Sequence, residues 1–153
     1  MKKSILLALV AISLPFSCKK EDNPSKTKLL TANCWVLSEA TIAPAAIVNG
    51  AVVTDFYALM SLCDRDNLTC LLENGNVYVD EGASKCDPND PQINTSGTWW
   101  FNSDETVLLA FTDTNPDTIH SELLELSANR LRIRQTLELL GQPREVTFAY
   151  QPE

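Results

Sequence analysis

"LTCLLENGNVYVDEG", residues 68–82, sets two short apolar runs on either side of Asn74-Gly75. An Asn-Gly pair suits both central residues of a type I′ turn, which need positive φ, so the stretch reads as a tight β-hairpin. The same texture runs outward in both directions. Upstream, "LLTANCWVLSEATI" (29–42) places Trp35 and Leu37 among β-compatible neighbours. Downstream come "SGTWWFN" (96–102), "TVLLAF" (106–111), "TIHSELLELS" (118–127), "RLRIRQTLELL" (130–140) and "REVTFAYQ" (144–151), each bounded by Asn, Asp, Pro or Gly. The last two read as a long hairpin turning at Gly141-Gln142-Pro143. The count is about eight strands joined mostly by short links, so consecutive strands should pair as an antiparallel meander. A single open sheet would leave one apolar face bare and two edges free. Closure into an all-β, up-and-down barrel removes both problems.

One stretch breaks the β pattern. In "VVTDFYALMSLC" (52–63), Thr54 suits an N-cap, and Phe56, Leu59, Met60 and Cys63 follow at helical spacing. A helix of one to two turns is expected here, between the first two strands, closing one end of the barrel. Its Phe56, Tyr57 and Met60 either pack as core or form a lid over a ligand mouth.

The chain has 153 residues, enough for one domain with a real core. It carries 12 basic and 20 acidic side chains, and four of the basic ones (Lys2, Lys3, Lys19, Lys20) precede residue 21. The remainder is strongly acidic and would repel phosphate backbones, so no nucleic-acid partner is expected.

The N-terminus has the layout of a secretory signal: Lys2 and Lys3, then Ile5–Leu14 apolar except for Ser13, then small residues. That run is about half the ~20 residues needed for a helix to span a bilayer. Pro15-Phe16-Ser17-Cys18 resembles a bacterial lipobox, with Ser17 the small residue before the cut and Pro15 in place of the usual aliphatic residue. The resemblance implies that Cys18 is acylated and becomes the mature N-terminus, so the bilayer is a partner through its lipid. Lys19-Lys20-Glu21-Asp22 is similar to the export tag that some Gram-negative bacteria place after that cysteine, which implies outer-membrane attachment and display on the cell surface; the alternative is a plain solvated tether facing the periplasm. The expected divisions are a signal at 1–17, a flexible tether at 18–28 and a barrel domain at 29–153.

With Cys18 set aside, Cys34, Cys63, Cys70 and Cys86 remain, an even number in an exported domain. Three pairings are open. Cys63–Cys86 would staple two loops, and Cys34–Cys70 would join neighbouring strands of the meander. The close ligand pairs of a zinc site are missing, and the acids Asp64, Asp66, Asp80, Glu81, Asp87 and Asp90 match no EF-hand, so no metal is expected.

Catalysis finds little footing. The single histidine is His120, no Gly-x-Ser-x-Gly elbow or Gly-rich phosphate loop occurs, and Glu122 and Glu125 carry no specific signal, so no enzyme and no cofactor are expected. For binding, residues 130–140 are the most informative. Leu131, Ile133, Leu137 and Leu139 alternate with Arg130, Arg132, Arg134, Thr136 and Glu138, and Gln135 falls on the inward set. A polar group there must find a hydrogen bond, so it either contacts a neighbour's backbone or points into a cavity holding water or ligand.

These elements, Cys18, Trp35, "LCDRDN" (62–67), the "ENG" turn, "DEGASKC" (80–86), "SGTWWF" (96–101) and "TFAY" (147–150), together resemble the small lipocalin-like lipoproteins of Gram-negative bacteria over about residues 29–151. The family's first strand usually reads Gly-x-Trp where Asn33 stands here, and Cys70 replaces a common aromatic. The resemblance implies an eight-stranded antiparallel barrel, monomeric, presumed to bind a small apolar ligand, with Phe56, Tyr57, Met60, Trp99 and Gln135 as candidate lining. The alternative is a packed, ligand-free barrel acting as an interaction or envelope-structural lipoprotein. With a cavity below the ~300 Å³ of ordinary ligand sites the carrier reading fails and that alternative takes over.

Overall fold

A computed structural model describes residues 23–153 apart from Thr114, with Asn94, Thr95, Asn115 and Pro116 described by their backbone alone. The signal at 1–17 and Cys18 lie outside the described residues. The chain runs α1 (Lys26–Leu30), β1 (Cys34–Val48), β2 (Ala51–Asp55), a 3-10 turn (Tyr57–Leu59), α2 (Leu62–Arg65), β3 (Leu68–Leu71), β4 (Asn76–Asp80), β5 (Ile93–Phe101), β6 (Val107–Thr112), β7 (Asn115–Leu126), β8 (Leu131–Leu139) and β9 (Gln142–Pro152).

Strands β3 to β9 pair with their sequence neighbours, and β1 pairs with both β3 and β9, so eight strands close into an antiparallel barrel. The extra strand, β2, hangs on the outer half of β1. Closure is lopsided. The β1–β9 seam runs from Trp35↔Pro152 to Ala43↔Glu145, whereas β1–β3 has Cys34↔Cys70, Trp35↔Thr69 and Val36↔Leu68 alone. Beyond Val36, the edge of β1 that β3 leaves free is taken by β2, whose Asp55 faces Thr41.

Turn chemistry explains where the chain reverses, and it corrects two sequence expectations. Around Asn74-Gly75 the Leu72 N–H donates to the Asn76 carbonyl and the Gly75 N–H to the Leu72 carbonyl. Of the pair only Gly75 has positive φ, 84°. This is a three-residue loop ending in a glycine bulge, not a type I′ turn. Among the described residues, the two-residue turns with positive φ at both positions are Asn49-Gly50 (51° and 82°) and Leu140-Gly141 (57° and 73°). The β8–β9 reversal therefore falls on Leu140-Gly141, and Gln142 and Pro143 already pair within β9.

The expected helix over 52–63 is also replaced. Val52, Val53 and Thr54 are strand, because Asn49-Gly50 folds them back onto β1. Asp55, not Thr54, lends its side chain to the 3-10 turn, accepting from the Ala58 N–H at 3.0 Å. In the expected tether, residues 26–28 are helical: Ser25 Oγ accepts from the Lys28 N–H at the start of α1.

The α1 end of the barrel carries the β3–β4, β5–β6 and β7–β8 turns. Leu30, fully buried, plugs it, and its carbonyl accepts the indole N–H of the equally buried Trp35 at 2.8 Å. Lys26 ties α1 to the β5–β6 turn through the Glu105 carbonyl. Above the plug, Leu71, Val77, Trp99, Leu108, Leu131 and Ile133 form the core. The opposite end carries the β1–β2 and β8–β9 turns, the long β4–β5 connection and α2.

Candidate interior binding site

Inward positions on seven strands leave a cavity of about 210 Å³ above the Leu30 plug. Its apolar wall includes Trp35, Leu71, Val77, Leu108, Leu131 and Ile133, and its polar groups are Thr69, Thr112, Ser121, Gln135 and Tyr150. Strand alternation places them. Leu131, Ile133 and Gln135 are two apart on β8, facing Tyr150, Phe148 and Val146 of β9. Arg132 and Arg134 fall between them and turn outward, where Arg134 pairs with Glu122 at 2.5 Å and Glu145 at 3.4 Å.

Two polar groups meet inside. Gln135 Nε2 donates to Ser121 Oγ at 2.8 Å, and Ser121 is among the most buried polar side chains of the fold, 4 % exposed. Strand alternation puts Gln135 on the inward face with two fates open to it. It takes the second, a place on the cavity wall, and in place of the expected backbone contact it bonds a side chain, Ser121. Tyr150 retains accessible surface, yet it is deeply buried. That surface faces the barrel interior, where loss of water pushes the phenol up to about 12.

The remaining candidate residues lie elsewhere. Trp99 is core: it is 6 % exposed, its indole N–H donates to the Leu72 carbonyl at 3.0 Å, and its ring meets Phe101 edge-on at 5.6 Å. Phe56 packs edge-on against Phe148, centroids 6.3 Å apart, so it covers the side of the barrel where β3 has left β1. Tyr57 lines outer clefts with Ser38 and Arg65. Met60 contributes its carbonyl to Arg65, which donates to it through Nε at 3.2 Å and Nη2 at 3.0 Å. Arg65 also donates to the Ala58 carbonyl and lies 4.7 Å over the Tyr57 ring. That arginine organises the crossover, a role sequence reasoning misses because nothing in "LCDRDN" signals which carbonyls it reaches.

Cys34–Cys70 and Cys63–Cys86 are both disulfides. The first bridges the short β1–β3 seam, and the second ties α2 to the β4–β5 connection. Cys63, Asp64 and Cys86 cluster closely enough to suggest a metal, but both sulfurs are spent on the disulfide. The nearby acids shape loops instead. Asp66 accepts from the Ser84 N–H and hydroxyl, each at 2.8 Å, and Asp87 from the Asn89 N–H at 2.8 Å. Hydrogen bonds from Gln92 and from the Gly82 N–H hold the Asp80 carboxyl below its usual range. His120 stands exposed on the outer face opposite Leu109, and Glu125 faces Arg130 and Arg132 there.

Comparison with protein-family models and with curated proteins finds no match to this chain.

Proposed function

We propose that this is a lipid-anchored lipoprotein of the outer membrane whose lipocalin-like barrel binds one small apolar molecule. The observation that carries the reading is the interior cavity, lined mostly by apolar side chains from across the barrel, with the hydrogen-bonded Ser121–Gln135 pair among its few polar groups. Its volume narrows the ligand. About 210 Å³ lies below the ~300 Å³ of ordinary ligand sites, so the carrier expected from the sequence fails by its own threshold and what we retain is narrower, a barrel holding one very small molecule. It exceeds the ~150 Å³ at which an apolar protein cavity accepts benzene, so a single ring or a short chain fits. The anchor is supported by residues 1–18. Because α1 begins at the plugged end of the barrel, a tether leading into it would emerge there.

The small volume also favours a second reading, a ligand-free barrel whose outer surface meets a partner. Native mass spectrometry of the protein gently released from membranes separates the two. A retained small-molecule mass, lost on unfolding, is expected. Bare protein that also refuses small apolar probes hands the function to the second reading. Replacing Cys18 with alanine is expected to move the protein to the soluble fraction, and external protease on intact cells is expected to remove it. Continued membrane association would refute the anchor, and survival would refute surface display.

A further inference from the structure

We propose that the cavity selects an uncharged molecule carrying one hydrogen-bonding group, which it holds at Ser121 and Gln135. This rests on the small-molecule reading above and adds the chemical class. Strand register brings the pair together: Glu122 of β7 faces Arg134 of β8, and Ser121 and Gln135 are the next residues along the two strands, their side chains meeting at 2.8 Å on the inward face. In an apolar wall, two such residues cost stability relative to aliphatic ones unless their polarity is used. The bond uses one N–H of the amide. Ser121, acting as acceptor, keeps its own hydrogen to donate, and the amide has a second N–H and a carbonyl. One spot thus presents donors and an acceptor to an alcohol, phenol or carbonyl.

Charge is what the cavity does not accommodate. Among the described residues none that lines it is charged. On the outer face Arg130 pairs with Glu39 and Glu125, Arg132 with Glu125, and Arg134 with Glu122 and Glu145, while Arg144, on the same face of β9 as Val146, does not line the cavity and gives its Nη1 to the Pro44 and Ala45 carbonyls. A carboxylate inside would lose its hydration with no cation to replace it. A fatty acid in its ionised form is therefore excluded, and the corresponding alcohol is accepted.

Toluene, benzyl alcohol and benzoate form a size-matched series for the test, titrated calorimetrically at neutral pH into the exported Cys18→Ala form, which keeps every described residue. Benzyl alcohol is expected to bind, and benzoate to show no heat of binding. Ser121→Ala and Gln135→Leu should each weaken benzyl alcohol about tenfold while leaving toluene within about twofold. Benzoate binding as tightly as benzyl alcohol would overturn the proposal, and so would variants that bind benzyl alcohol unchanged. The benzoate comparison uses the unsubstituted barrel and stands even where a variant fails to fold. If toluene and benzyl alcohol both fail to bind, the small-molecule reading itself falls; if toluene alone binds, the selection proposed here falls and that reading survives.

Discussion

Cys34 and Cys70 face each other as register partners across β1 and β3, their Cα atoms 4.3 Å apart, on the seam where barrel closure rests on three residue pairs. The disulfide reinforces the closure at its shortest ladder. Replacing both cysteines with alanine frees a chain segment spanning a sequence separation of 36. The expected loss is roughly 2 to 4 kcal/mol in urea unfolding, through the added entropy of the unfolded chain. Amide exchange should accelerate first at Trp35, Val36 and Thr69. Removing Cys63 and Cys86 instead should loosen α2 and the β4–β5 connection and leave those three amides protected.

Gly97 marks a second tight point. A Cβ built there would sit 2.0 Å from the Phe111 carbonyl oxygen on β6, a backbone atom that cannot swing aside. Gly97→Ala should therefore push β5 and β6 apart and destabilise the barrel by about 1 to 3 kcal/mol or more. Gly141→Ala, which meets nothing within 4 Å but has φ of +73°, isolates backbone strain from collision. Equal losses in thermal unfolding of the two variants would contradict the steric account.

Strand identity is legible in the sequence because period-2 alternation survives in β5 to β9, and the inward set Leu131, Ile133 and Gln135 can be read directly from it. The disulfides are legible because a meander makes Cys34 and Cys70 neighbours. Turn geometry is harder. Asn74-Gly75 and Asn49-Gly50 are the same dipeptide, yet one closes a three-residue bulged loop and the other a two-residue turn. The difference lies in the register of the flanking strands, which no local pattern encodes. β2 is hidden because Val52, Val53 and Thr54 precede residues at helical spacing, and the pairing of Val52 with Ile47 and Val53 with Ala46 overrides that spacing. Ser121 cannot be nominated from sequence as the partner of Gln135 until the β7–β8 register, with Glu122 opposite Arg134, is known.

Trp35 ties α1 to the barrel through its bond to the Leu30 carbonyl. Trp35→Phe keeps an aromatic ring but leaves that carbonyl buried without its donor and opens a gap where the indole stood. A loss of roughly 2 to 4 kcal/mol is expected, with new protease cleavage near α1. Trp100→Phe, at a side chain 42 % exposed, should change stability by less than about 0.5 kcal/mol. Similar losses in urea titrations of the two variants would mean that Trp35 serves as filler and not as an anchor.

Tyr150 makes the dryness of the barrel interior measurable in the unliganded protein. Its phenol is pushed from an ordinary 10.0 to about 12 by loss of water. Between those values the unfolded chain has released its proton while the folded one still holds it. Stability from this group is therefore complete below about pH 10 and is lost as pH rises toward 12. The loss over that interval is about 2 to 3 kcal/mol. Tyr150→Phe has no proton to release, so its stability should fall less steeply across the same range, and the difference between the two curves reports Tyr150 alone. Parallel curves would mean that water reaches the phenol. The cavity beside Ser121 and Gln135 would then be wet enough to solvate a charge, and a carboxylate would no longer be disfavoured there.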